Sequence, residues 1–317
     1  VLYLFKDQQP RRLILLVLLL LVSRLPLLVM GVPLPGDVSV LPQSIPDSLL
    51  ILIASALIFI QAIWINYIFS EAQITDQRTF VPAAVWIIIT LLDKGYMVPG
   101  EPMLICFVII ALVHSLMDIR QEEASAKQCY NSGFLLGIAI ALHPPFILYL
   151  PILILSLFNL RAYGIREYLI AILGVMTPLF WAWSYFYITG AEYGWLHELK
   201  EKLQPANFEL DIYLQIGTAL ILFVSLAGLV SLAGIVQSAG FKRKKNVRSI
   251  LYQTGGVSLV FVFSKDWIFA NSFFVLVPLC MLISTLLLRI NKKLIPDLLF
   301  GIFAIILITL QILSSVI

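Results

Sequence analysis

From Leu13 to Val32 the chain runs for twenty residues with one charged side chain, Arg24. A helix of about that length crosses the roughly 30 Å hydrocarbon core of a bilayer, with its backbone polar groups paired internally. Comparable runs recur to the end of the 317-residue sequence. Hydrophobic residues make up 61% of it and charged residues 12%, against roughly 45–50% and 25% in soluble domains. A single water-surrounded core of this size cannot absorb so much apolar side chain. A soluble globular domain, a disordered chain and a disulfide-stapled secreted module are therefore excluded. The expectation is an all-α polytopic integral membrane protein, one transmembrane domain over residues 1–317.

Walking the chain gives eleven predicted spans: 13–32, 47–69, 80–97, 102–118, 131–144, 146–160, 168–189, 212–235, 250–264, 267–288 and 295–316. Lys6, Arg11 and Arg12 precede the first, which lacks a small-residue cleavage pattern and reads as an uncleaved span. The fifth and sixth are joined by His143-Pro144-Pro145, either two short spans meeting at one surface or one broken element. With the N-terminus inside, alternating loops put 16 of the 21 basic residues in the cytoplasm and four outside; Arg24 is the remaining one. Ten of the 18 acidic residues fall outside. That asymmetry satisfies the positive-inside rule and predicts an N-inside, C-outside topology.

Three cysteines, Cys106, Cys129 and Cys280, have neither disulfide nor zinc spacing; the first and last fall in apolar runs and Cys129 in a polar connection. His114 and Asp118 share a helix face, but no third ligand accompanies them, so no metal and no cofactor are expected. Lys242-Arg243-Lys244-Lys245 reads as a topogenic loop meeting anionic headgroups, not as a nucleic-acid site.

The outer loops carry the unusual chemistry. Residues 33–47 hold four prolines, two carboxylates, Asp37 and Asp47, and no basic residue. Asp47 suits a helix N-terminus, and Asp37 follows Gly36 in a turn-like stretch. Arg24 is costly within a span unless it pairs or snorkels; Asp37 and Asp93 are its candidate partners. Asp93-Lys94 and Lys265-Asp266 each put an acid beside a base at the outer boundary, near Tyr96 and Trp267. They are either interfacial anchors or, with His143, lysines converging on a phosphate-like anion. Within 190–211, Trp195, Leu196, Leu199 and Leu203 line one helical face, predicting an amphipathic surface helix near 192–203.

The stretch 131–155, with Gly133, Gly137, His143-Pro144-Pro145 and Leu150-Pro151, resembles the core of GT-C-type membrane glycosyltransferases. So do Ser23-Arg24-Leu25-Pro26 and Pro33-Leu34-Pro35-Gly36-Asp37, which resemble that superfamily's first span and first outer loop. Phe158-Asn159-Leu160-Arg161, Arg166-Glu167 and Gly174-Val175-Met176-Thr177-Pro178 further resemble a polytopic membrane family of Bacteroidota with no assigned activity. GT-C first loops are usually longer and often carry Asp-Glu where this one has Asp37-Val38, and a large soluble outer domain is missing. The resemblance implies transfer from a polyprenyl-phosphate-linked sugar at the outer face. Asp37 would be the general base. Arg24 would bind substrate; the predicted topology, not the motif match, adds Lys94, His143, Lys265 and Asp266 as substrate-binding residues, with Lys94, Lys265 or His143 meeting charge on the leaving phosphate. The alternatives are a non-catalytic scaffold or partner subunit of an envelope assembly, and a transporter; for the last, no internal repeat is visible. Membrane lipids are the expected partners.

Overall fold

In a computed structural model, the described residues are Phe5, 11–30, 45–74, 79–118, 126–159, 165–190, 212–238, 241–263, 273–290 and 294–316. Among them are eleven α-helices and no strand: α1 (Arg11–Met30), α2 (Asp47–Glu71), α3 (Val81–Ile89), α4 (Glu101–Asp118), α5 (Ala126–Leu142), α6 (Leu150–Asn159), α7 (Ile165–Thr189), α8 (Ile212–Ser238), α9 (Phe241–Val262), α10 (Leu276–Arg289) and α11 (Leu294–Val316). Among the 3-10 turns that interrupt them are η1 (Lys94–Met97) and η2 (Pro144–Tyr149). Four helices are long and apolar enough to cross a membrane: α2, α7, and the Ile212–Leu232 and Leu294–Leu313 parts of α8 and α11. The described residues form the helical fold of a membrane protein.

Several boundaries depart from the sequence reading. The third predicted span breaks: α3 ends at Ile89, and η1 follows. The sixth begins as the 3-10 turn η2, and the two prolines at its start keep α5 from running on, since neither can donate to the carbonyl four residues back. The fifth begins five residues early, so Cys129 is a buried helix residue and not part of a polar connection. Lys242–Lys245 is no loop either; it forms the first turn of α9. Lys and Arg are good helix formers and lose little by entering one. The predicted helix near 192–203, Trp267 and the start of the tenth span lie outside the described residues.

The chain divides into two units. Unit 1 comprises Val1–Met103, Glu209–Lys244 and Leu276–Ile317. Its centre is α3, whose nine residues are all buried. A helix that is apolar on every side belongs in a core, and α1, α2, α10 and α11 pack around this one. The Cys280 thiol on α10 donates to the Pro82 carbonyl at 3.3 Å. Alongside, α8 and α10 run parallel: a Cβ on Gly228 would stand 2.5 Å from the Leu282 carbonyl oxygen, and Gly234 faces the Arg289 guanidinium.

Unit 2 comprises Leu104–Phe208 and Lys245–Val275. Its tightest feature is the parallel contact of α5 with α7. Gly133 lies on the Ala171 carbonyl and Gly137 on the Val175 carbonyl and the Pro178 ring; Gly174 answers from α7, its absent Cβ 2.9 Å from the Phe134 nitrogen. Small residues one turn apart let helix backbones approach where lipid gives no hydrophobic drive to associate. Tyr130 closes the contact, its hydroxyl 3.1 Å from Thr177 Oγ1. The other faces of α7 are open, with Phe180, Trp181, Trp183, Tyr185 and Tyr187 exposed.

Candidate functional site

The sequence singles out one charge inside a span, and unit 1 explains where it goes. Arg24 is fully buried between α1 and the end of α3. The last carbonyls of a helix have no partner within it and carry partial negative charge. At the end of α3 the Leu91 and Leu92 amides close two of them, on Ile88 and Ile89. Arg24 takes the next: Nη1 donates to the Thr90 carbonyl at 3.5 Å, and Nη2 to Thr90 Oγ1 at 2.6 Å. Nη1 also contacts the Met97 sulfur in η1. Thr90 Oγ1 in turn donates to the Ile87 carbonyl at 2.8 Å. The buried cation thus rests on a helix end and a thioether, and its Nε finds no acceptor. Among the described residues no carboxylate pairs with it.

Asp93, one of the two expected partners, is engaged locally. Its Oδ1 accepts from the Gly95 amide at 3.0 Å and starts η1. Arg24 therefore meets the segment that carries Asp93-Lys94, through Thr90 and Met97 on either side of that pair. The backbone of Lys94 lies in η1. Asp47 stands exposed in the first turn of α2, where a negative charge suits the helix dipole. Asp37, Lys265 and Asp266 lie outside the described residues.

His143 belongs to unit 2 and is buried at the bend between α5 and η2. Its amide donates to Ala139 and its carbonyl accepts from Phe146, at 2.8 and 3.0 Å. The ring packs against Phe146 and Phe274, centroids 5.9 and 6.1 Å away. The structure thus brings Arg24 to the Asp93-Lys94 segment and sets His143 among aromatic rings. No group of three His, Cys, Asp or Glu able to hold a metal occurs among the described residues.

What sequence reasoning missed is neutral. The glycine ladder of α5 was visible as Gly133 and Gly137 one turn apart, and Gly174 and Thr177 could have been paired with it. Thr90 gave no signal as the seat of Arg24, because its role depends on where α3 stops. No family model matches the chain, and neither a curated protein nor a solved structure gives a match.

Proposed function

We propose that the protein is a GT-C-like glycosyltransferase of the bacterial inner membrane, with eleven spans, N-terminus inside and C-terminus outside, taking a polyprenyl-phosphate-linked sugar at the outer face. The observation that carries this reading is the seat of Arg24. It ties α1 to the connection bearing Asp93-Lys94, six residues, or about 9 Å of helix, before the end of α1. The chain then continues toward Asp37. Sugar transfer from a lipid phosphate needs a base for the acceptor hydroxyl and a cation for the departing phosphate, and this reading gives those roles to Asp37 and Lys94.

The topology has support from helix directions. Spans of like parity run parallel where they pack, α5 with α7 and α8 with α10. Spans of opposite parity run antiparallel, α6 with α9, since Tyr149 meets Gly256 and Asn159 meets Lys245. Arg243, in the first turn of α9, reaches the Ile74 carbonyl at 2.7 Å, and both lie at the inner side in this topology.

One observation favours the second reading, a non-catalytic scaffold. Arg24 and Asp93 each complete a helix end or a turn, so neither needs a ligand to account for it. The test is Asp37→Asn in proteoliposomes supplied with polyprenyl-phosphate sugars. Sugar transfer by the parent protein and its loss in a normally expressed variant support the enzyme. Transfer that survives the substitution removes Asp37 as the base.

A further inference from the structure

In unit 2, α6 and α9 are tied at two levels. A Cβ on Gly256 would stand 2.6 Å from Cε2 of Tyr149 and 2.9 Å from Cγ2 of Ile152. Toward the other end, Asn159 Nδ2 donates to the Lys245 carbonyl at 3.4 Å. These residues define facing stripes: 149, 152, 156 and 159 on η2 and α6, and 245, 249, 253 and 256 on α9, spaced three or four apart as one helix face requires. Ser156, Ser249 and Gln253 therefore belong to the shared face. Ser156 lies one turn before Asn159 and Ser249 one turn after Lys245, which puts the two serines at the same level.

These side chains are buried and idle. Tyr149, Ser156, Ser249 and Gln253 are at most 1% exposed. The hydroxyls of Tyr149, Ser156 and Ser249, and both amide atoms of Gln253, have no hydrogen-bond partner. A helix serine in apolar surroundings ordinarily donates to the carbonyl one turn back, as Ser55, Ser225 and Ser284 do here. Ser156 and Ser249 do not. Buried polar atoms left in this state are expensive, and proteins normally satisfy them with water when no side chain serves.

We infer that the α6–α9 seam is a binding site for a short file of internal water molecules, running from the Asn159–Lys245 level to the Tyr149 hydroxyl. The seam is neutral and offers both donors and acceptors, so its ligand is neutral and does both. The approach of Gly256 to the Tyr149 ring leaves no room for a sugar or a lipid headgroup. Beyond Tyr149 the file stops against Phe146 and Phe274, whose rings pack edge to face with centroids 4.7 Å apart. The sugar-transfer reading gives none of the seam's polar side chains a catalytic or binding role.

Hydroxyl-radical footprinting by X-ray radiolysis tests it on the full chain in mild detergent, because radicals form from water held beside a side chain. Tyr96 is a matched reference, also buried at 1% exposure. Tyr149 is expected to oxidise several-fold faster than Tyr96, and Ser249→Val and Gln253→Leu to bring it down to the Tyr96 rate. A wild-type Tyr149 no faster than Tyr96 overturns the water file. So does a fast Tyr149 that neither substitution slows. If both variants fail to fold, the wild-type ratio alone decides.

Discussion

Unit 1 and unit 2 each fasten two helices at a point where lipid offers no help, and they do it by opposite means. Unit 1 ties α1 to α3 with a charge, the Arg24 guanidinium seated on Thr90. Unit 2 ties α5 to α7 with the absence of side chains, Gly133, Gly137 and Gly174 bringing backbone against backbone. The charged tie is conspicuous and replaceable, since a cation taken out of water gives back most of what it gains from its partners. The glycine tie is inconspicuous and rigid, because a backbone carbonyl cannot move aside for a new Cβ. Prominence in a sequence is thus a poor measure of how much structure rests on a residue.

The contrast can be broken most forcefully at the glycines. Gly133→Leu drives a side chain into the Ala171 carbonyl, and overpacking of this kind costs about 3 kcal/mol or more. Fluorescence-detected size exclusion after heating should show loss of the folded peak; a variant as stable as the parent would mean that α5 and α7 are not in backbone contact. Arg24→Ala should follow with a smaller loss, about 2 kcal/mol, from the unpaired end of α3 and the space left behind. Thr90→Val should cost about 1 kcal/mol alone and little more when added to Arg24→Ala, since both remove one interaction. Additive losses in that cycle would place Arg24 elsewhere.

How much of this was legible follows the same division. Apolar runs and their flanking charges reveal helices, because span length and the cost of burying charge act locally along the chain. Every predicted span begins or ends within a few residues of an observed helix for that reason. The third did not survive as one helix, since α3 stops where Asp93 turns the chain, and an Asx-type turn inside an apolar run leaves a faint trace. Of the proposed site, Arg24 was recognisable as an anomaly, yet its expected carboxylate partner Asp93 proved to be turning the backbone. His143 was legible as a breakpoint by virtue of Pro144 and Pro145, whereas the rings of Phe146 and Phe274 around it depend on tertiary packing. The α6–α9 seam was invisible, because Ser156, Ser249 and Gln253 are unremarkable until two helices put them on one face.

The central claim, a lipid-phosphate site at the Arg24–Lys94 end of unit 1, is tested most directly by quantitative mass spectrometry of the lipid that co-purifies with the protein in mild detergent. Enrichment of a polyprenyl phosphate or its glycosylated form, lost in Lys94→Ala, is the predicted result. Bulk phospholipid alone, in the same proportions as the surrounding membrane, would contradict it.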